Sequence, residues 1–180
     1  NDGDGYWLSG NLVAMINNVS AGSSAHGIIY WVDGLVESDI PRGRASVKVA
    51  DIPNGHLIPN RETIPTWWAP LAECRGNECY GSTIGFRARY IHAQVYIGEG
   101  NSPFHAPPTQ EFIDQLDPTV DELTVWNNRD GVLLNYNERV SVTNSRIIGI
   151  GAPFYDDAGT ANAGVGIDQG TEITNGPGRI

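Results

Sequence analysis

Lysine is nearly absent from this chain, since Lys48 is the only one among 180 residues. Acidic residues outnumber basic ones by 21 to 11, and the formal net charge at neutral pH is -10. Such a surface repels the phosphates of nucleic acids and of anionic lipids. We therefore expect no nucleic-acid partner. The composition also favours an extracellular or cell-surface location.

Long apolar runs are missing as well. No stretch approaches the roughly 18 apolar residues of a membrane span, so we expect no membrane insertion. The first residues, NDGDGYWLSG, are neither basic nor apolar, and a signal for export would have been removed or would lie upstream. The sequon at Asn18 is compatible with a glycoprotein.

Helix signals are confined to residues 107–123. Thr109 is positioned to cap a short helix there, and Pro118 is positioned to end it. The apolar face of this helix would consist of Phe112, Ile113 and Leu116. The remainder of the chain, with 22 glycines and 11 prolines, is typical of short strands joined by turns.

Cysteine is scarce, with only Cys74 and Cys79 in the segment AECRGNECYG. No histidine lies within ten residues of the pair, so the pair does not indicate a zinc site. We predict a local disulfide between them, with two free buried thiols as the alternative.

We expect no metal and no cofactor. Calcium is an alternative, because NDGDG and YDDAGTAN supply oxygen ligands, although neither fits an EF-hand loop.

One local phrase recurs along the chain: a short apolar strand, a polar bend, and a glycine followed by apolar residues. The recurring pairs are Gly27-Ile28, Gly85-Phe86, Gly131-Val132 and Gly164-Val165. Hairpins would show two-residue turns between longer alternating runs. The phrase instead predicts an all-β fold, a right-handed parallel β-helix with inserted loops. Bend asparagines would bond to neighbouring coils, and glycine would supply positive φ at corners. A β-sandwich with long loops is the alternative.

Three segments interrupt the repeats and are predicted to be loop excursions: about 40–70, which is rich in proline, then 98–118 and 152–163. We expect a single β-helix domain over residues 1–180. Because the sequence starts abruptly and stops at GPGRI, which reads like the beginning of a strand, we also expect a segment of a longer protein.

The segment NNVSAGSSAHGIIYWVDG resembles the "N-x-A-A-G-S … G-F-W" segment in the right-handed β-helix of the G8-domain family. That family includes a cell-migration-inducing hyaluronan-binding protein, a transmembrane cell-surface hyaluronidase and the fibrocystin-like proteins. GNECYGSTIGFRAR and LTVWNNRDGVLLNYNERVSVTNSRIIG resemble the following coils in the same order. The chain lacks a recognisable G8 module. The resemblance implies the fold and an association with polysaccharide at the cell surface.

No motif predicts an enzyme, because nucleophile elbows, P-loops and HExxH are all missing. If the glycines of the phrase occupy equivalent turns, the residues after them line one face. The predicted carbohydrate-binding face consists of Tyr30, Trp31, Asp33, Arg87, Arg89 and Asn135. Aromatic rings beside such polar groups are typical of sugar sites, and arginine would suit an acidic polysaccharide. The alternative is that Tyr30 and Trp31 pack under the proline-rich excursion while the arginines pair with acids. His26 and His92 are expected to be structural.

Two functional hypotheses follow. The first is an extracellular module that binds polysaccharide or helps to process it, and any catalysis would be that of a hydrolase or lyase. The second is a structural or adhesive spacer, whose partners are neighbouring domains of the same longer chain. An exposed groove of aromatic rings and arginines favours the first hypothesis, and a smooth polar exterior favours the second.

Overall fold

The computed structural model describes residues 3–32, 46–89, 91–92, 108–135, 137 and 139–149, with the backbone of 154–155, 161–162 and 167–168. These residues form an all-β structure in which the three larger sheets are parallel throughout. The strands are β1 (Tyr6–Leu8), β2 (Met15–Ile16), β3 (Val19–Ala21), β4 (His26–Trp31), β5 (Ser46–Lys48), β6 (Thr63–Pro65), β7 (Cys74–Arg75), β8 (Glu78–Tyr80), β9 (Ile84–Arg89), β10 (Thr119–Asp121), β11 (Thr124–Trp126), β12 (Asp130–Asn135), β13 (Ser141–Thr143), β14 (Arg146–Ile148), β15 (Phe154–Tyr155), β16 (Ala161–Asn162) and β17 (Ile167–Asp168).

The chain visits the three parallel sheets in a fixed order. Sheet A has the strand order β1-β4-β9-β12-β17, sheet B has β13-β10-β7-β2, and sheet C has β14-β11-β8-β3. Each of the runs β2-β3-β4, β7-β8-β9 and β10-β11-β12 passes through sheets B, C and A, and β13, β14 and β17 repeat this order. Strands of these sheets therefore pair with the strands of the next run and do not form hairpins.

The corners between sheets contain left-handed residues at equivalent places. Between sheets B and C these residues are Asn17, Gly76, Glu122 and Asn144, with φ of 55°, 67°, 51° and 49°. Between sheets C and A they are Gly22, Gly81, Asn127 and Gly149, with φ of 68°, 67°, 53° and 61°. Glycine and asparagine are the residues that adopt this conformation at least cost, so their recurrence at corners has a backbone reason.

The glycines of the recurring pairs, which were predicted to occupy turns, have a different role. Gly27 and Gly85 lie within strands β4 and β9, and neither is among the residues with positive φ. A Cβ at Gly27 would lie 2.5 Å from the Gly85 carbonyl oxygen and 2.9 Å from Cys79 Cβ. A Cβ at Gly85 would collide with Val125. These glycines therefore allow sheets A and C to approach closely, and the prediction that they form the corners is wrong. Gly164-Val165 lies outside the described residues.

Buried asparagines connect successive runs, as predicted. Asn77 donates from Nδ2 to the Met15 carbonyl oxygen at 2.8 Å, and its Oδ1 accepts from the Asn18 backbone N–H at 3.0 Å. Asn128 Oδ1 accepts from the Ser82 backbone N–H at 2.7 Å. Each of these asparagines satisfies backbone groups of another run, which a buried polar group requires in order to be stable.

The core lies between the inner faces of the three sheets. Met15, Cys74, Val120 and Val142 align across sheet B, and all four are buried. Cys79 is buried on sheet C, and both cysteines are free thiols. The predicted disulfide is therefore wrong, because the two side chains are core residues of different sheets. Burial raises the pKa of Cys74 to about 11 and that of Cys79 to about 12.

The described part of the proline-rich excursion, residues 46–70, has its own ordered structure. Strands β5 and β6 pair antiparallel, and 3₁₀ turns cover Val49–Asp51, Gly55–Leu57 and Thr66–Trp68. Its buried apolar residues are Val49, Ile52, Ile58, Ile64, Trp67 and Trp68. Apolar packing holds this segment against the sheets, as expected. Its outer bounds remain a prediction, because residues 33–45 are not described.

The short helix is confirmed as α1 (Gln110–Asp114). Thr109 caps it, since its Oγ1 accepts from the Phe112 N–H at 3.4 Å, and Phe112, Ile113 and Leu116 are buried. Of the third predicted excursion, 152–163, only the antiparallel pair β15 and β16 is described. None of the described helices has the length and apolar character needed to cross a membrane.

Candidate functional site

Four side chains form a column on sheet A, which we call the Trp–Arg column: Trp7, Trp31, Arg87 and Arg89. The rings of Trp7 and Trp31 are stacked, with centroids 5.5 Å apart and planes inclined by 16°. Arg89 Cζ lies 4.3 Å from the Trp31 ring centroid, and Arg87 Cζ lies 5.5 Å from it. Both distances are within the range of cation–π attraction.

Strand register explains why these residues meet. In sheet A, β4 lies between β1 and β9, and Trp31 pairs with Arg89 while Trp7 pairs with Ile29. Trp7 and Arg89 thus approach Trp31 from opposite neighbouring strands. The faces of the Trp31 ring are occupied by these contacts. The accessible aromatic surface of the column belongs mainly to Trp7, which is 38% exposed.

A buried polar pair supports the column. His26 Nδ1 donates to Asp4 Oδ1 at 2.6 Å, and His26 Nε2 accepts from Arg87 Nη1 at 3.2 Å. The Asp4 side chain is only 2% exposed. Burial lowers the pKa of His26 more strongly than Asp4 raises it, so the neutral ring can both donate and accept. The pair therefore fixes the position of Arg87 within the column.

The structure brings together three of the six predicted carbohydrate-binding residues, namely Trp31, Arg87 and Arg89. Tyr30 was wrongly assigned to this face, because it is fully buried and its hydroxyl donates to the Val13 carbonyl oxygen at 3.1 Å. Burial also raises the pKa of the Tyr30 phenol. Tyr30 and Trp31 are adjacent on one strand, and adjacent side chains point to opposite faces.

Of the two remaining predicted residues, the structure describes only the backbone of Asn135. Asp33 lies outside the described residues. The backbone of Asn135 pairs with Arg89, which places this residue at the end of β12 beside the column. Both assignments stay predictions.

The sequence reasoning missed Trp7 and Asp4. Trp7 lies in the short strand YWL, and its alternating burial marks it as facing outward. His26 was expected to be structural, and it does link a buried carboxylate to Arg87. His92 is also structural: it is buried, its Nε2 donates to the Ala69 carbonyl oxygen at 3.0 Å, and burial lowers its pKa to about 4.

A second stacked pair, also unpredicted, lies on sheet C, and we call it the Tyr–Trp column: Tyr80 and Trp126. Their ring centroids are 4.4 Å apart and their planes are inclined by 17°. Trp126 Nε1 donates to Glu78 Oε1 at 2.6 Å, and Trp126 is 38% exposed. This column therefore has a carboxylate beside its rings where the Trp–Arg column has guanidinium groups.

Metal binding finds no support in the described part of the chain, which contains no group of three or more histidine, cysteine, aspartate or glutamate side chains able to hold an ion. Asp4, within the predicted calcium loop NDGDG, accepts instead from the His26 backbone N–H at 3.0 Å and from its ring. The other loop, YDDAGTAN, lies mostly outside the described residues. Calcium therefore stays the alternative to the prediction that the chain holds no metal.

The Trp–Arg column has the chemistry of a binding surface: an exposed ring, two guanidinium groups and a rigid buried support. Guanidinium groups donate paired hydrogen bonds to carboxylates and sulfates. Comparison of the chain with protein-family models, with curated proteins and with solved structures finds no match.

Proposed function

We propose that the three parallel sheets are the faces of a parallel β-helix, with each passage through sheets B, C and A forming one coil. The fixed order of visits, the in-register pairing and the left-handed corner residues support this proposal. Parallel crossovers in proteins are overwhelmingly right-handed, which favours a right-handed helix. On this proposal the coils would correspond to those of the G8-domain family.

We further propose that the chain is an extracellular carbohydrate-binding module and that the Trp–Arg column contacts the glycan. The observation that carries this proposal is that three adjacent strands place an exposed tryptophan and two arginines in one column held by Asp4 and His26. The Trp7 ring would pack against the apolar face of a sugar ring. Side chains already held in position lose little entropy on binding, which favours affinity.

The arginines point to an acidic polysaccharide. Arg87 and Arg89 would donate hydrogen bonds to its carboxylate or sulfate groups, whereas a neutral sugar offers them no charge. The formal net charge of -10 opposes an anionic ligand over longer distances. Binding would therefore depend on the local arginine pair, and added salt would weaken it by screening.

The second candidate function is a structural or adhesive spacer, whose excursions contact neighbouring domains. The observation that favours it is the mutual stacking of exposed side chains in both columns. Such contacts between successive strands stiffen a stack of coils without any ligand. In that case the ring surface of Trp7 would have no glycan partner.

A titration followed by tryptophan fluorescence distinguishes the two functions. Acidic and neutral polysaccharides are added with and without calcium to the wild type, Trp7→Ala and Trp126→Ala. The last two variants are matched, because both tryptophans are stacked and 38% exposed. We expect saturable quenching by acidic polysaccharide that is lost in Trp7→Ala and retained in Trp126→Ala. The absence of any response from the folded wild type would favour the spacer.

A further inference from the structure

A cavity of 660 Å³ lies in the proline-rich excursion, and its lining contains no residue of either column. Its lining includes Lys48, Val49, Asn54, His56, Arg61 and Glu62. Small-molecule sites have volumes of about 300 to 1,000 Å³, so this cavity has room for a ligand the size of a sugar and is larger than a bare ion requires.

The lining is basic in a strongly acidic protein. It contains the only lysine of the chain together with Arg61 and His56, against the single carboxylate of Glu62. Within the described part of the chain Lys48 belongs to no ion pair. Arg75, Arg129 and Arg139, by contrast, lie 2.8, 2.7 and 3.7 Å from carboxylate oxygens. The ammonium group of Lys48 therefore lies at the cavity without an ion-pair contact to a carboxylate of the described residues.

The wall of the cavity is fixed by close backbone packing. A Cβ at Gly55 would collide with the Val49 carbonyl group, so glycine allows the two 3₁₀ turns to touch. The Val49 N–H donates to the Glu62 carbonyl oxygen at 2.9 Å, which joins the two ends of the lining. Thr109 Oγ1 also donates to the Leu57 carbonyl oxygen at 2.6 Å and ties the wall to helix α1. The basic groups thus sit on a built surface.

We propose that this cavity binds a small ligand carrying an oxyanion, a carboxylate or a sulfate, which pairs with Lys48. The charge of the lining favours an anion, and the volume leaves room for a ligand of the size of an acidic sugar. This site shares no residue with the Trp–Arg column. Its occupancy therefore does not depend on the glycan-binding function proposed above.

The test is calorimetric titration at low and at high salt with three probes: sodium glucuronate, glucose and sodium sulfate. Glucuronate and glucose differ in the carboxylate, and sulfate separates a free inorganic anion from an acidic sugar. The titrations use the wild type, Lys48→Gln, Lys48→Arg, the column variant Trp7→Ala and the control Arg146→Gln. Arg146 is an exposed cation on β14 that does not line the cavity, so its loss changes the net charge equally.

We expect glucuronate or sulfate to bind at low salt and glucose to fail. Lys48→Gln should weaken binding about tenfold, the usual effect of losing a hydrogen bond to a charged group. Lys48→Arg should retain most of the affinity, Arg146→Gln should bind like the wild type, and Trp7→Ala should retain the binding that Lys48→Gln weakens. Failure of both anions at low salt, or equal losses in Lys48→Gln and Arg146→Gln, would overturn the proposal. Binding that is lost in Trp7→Ala but kept in Lys48→Gln would also overturn it, and would place the anion on sheet A.

Discussion

The outer faces of sheets A and C carry stacked aromatic pairs that are alike in geometry and opposite in charge. Trp7 and Trp31 are inclined by 16°, and Tyr80 and Trp126 by 17°. Arg89 lies over the Trp31 ring of the first pair, whereas Glu78 accepts a hydrogen bond from Trp126 in the second. Aromatic side chains thus stack across neighbouring strands on both sheets, diagonally in the first pair and between register partners in the second. The charge beside the rings decides which face suits an anionic ligand.

The two faces also differ in what lies beneath them. The Trp–Arg column rests on the buried Asp4–His26 pair through Arg87. Trp126 and Glu78, at the Tyr–Trp column, bond to each other at an exposed position. Burying polar side chains is costly unless they are hydrogen-bonded. Among the described residues only the Trp–Arg column has such a buried polar support, which indicates that the position of Arg87 matters.

We expect the largest loss of stability from a substitution that disrupts sheets A and C together. Asn128 lies at the corner between sheets C and A, where its amide bonds to Ser82, Cys79 and Trp126. Asn128→Ala leaves buried backbone groups unsatisfied and should lower the free energy of unfolding by about 3 kcal/mol. Denaturant unfolding measures this loss. The exposed control Thr143→Ala should cost about 0.5 kcal/mol or less, and equal losses would contradict the role of Asn128.

The next largest effect should come from Asp4→Ala, which should disturb the Trp–Arg column and leave the Tyr–Trp column unchanged. Asp4→Ala removes the acceptor of His26 and should cost about 2 kcal/mol, because a buried donor is left unsatisfied. Asp4→Asn keeps an acceptor oxygen and should cost less. The indole N–H signal of Trp31 in heteronuclear NMR should shift in Asp4→Ala, while that of Trp126 should stay in place. A shift confined to Trp126 would show that the support belongs to the other face.

Low pH should weaken the contact between His26 and Arg87, and this effect should be smaller than that of Asp4→Ala. Folding lowers the pKa of His26, so the folded state binds its proton more weakly than the unfolded state. The stabilisation is complete above the ordinary value of 6.5 and is lost as the pH falls through the lowered folded pKa. Protonated Nε2 cannot accept from Arg87. The indole signal of Trp31 should therefore titrate below pH 6.5 and that of Trp126 should not, and the His26→Gln variant should lose the Trp31 transition.

We expect the smallest change in stability from a substitution of Glu78, the carboxylate beside the Tyr–Trp column. Glu78→Gln keeps an acceptor for Trp126 Nε1 and removes an exposed charge, so stability should change by about 0.5 kcal/mol or less. Binding of acidic polysaccharide to the Trp–Arg column should be unchanged in this variant. Arg89→Gln is the counterpart on sheet A and should weaken that binding about tenfold. A stronger effect of Glu78→Gln would move the site to sheet C.

Local signals in the sequence predicted much of the fold. Strand and turn composition gave the all-β class, the capping pattern at Thr109 gave helix α1, and the repeated phrase aligned Gly27 with Gly85. These features depend on neighbouring residues in the chain. The error over Tyr30 was avoidable, because strand alternation permits only one of Tyr30 and Trp31 to face outward.

The remaining features of the fold and of the candidate site depend on contacts between segments that are distant in the sequence. Trp7 meets Trp31, and Asp4 meets His26, only because the first strand stacks beside β4 in one register. Local periodicity does not encode that register, because residues 9–25, with β2 and β3, separate the two strands. The same limit applies to the thiols, since Cys74 and Cys79 lie close in sequence yet face the core from different sheets.

The five tryptophan indole signals offer the most direct test of the central claim, since Trp7 and Trp31 report on sheet A, Trp126 on sheet C, and Trp67 and Trp68 on the excursion. An acidic oligosaccharide would be titrated into the labelled wild type and followed by heteronuclear NMR. The proposed function predicts saturable shifts of Trp7 and Trp31 while the other three stay in place. Shifts of Trp126 alone, or no shift in any of the five, would contradict it.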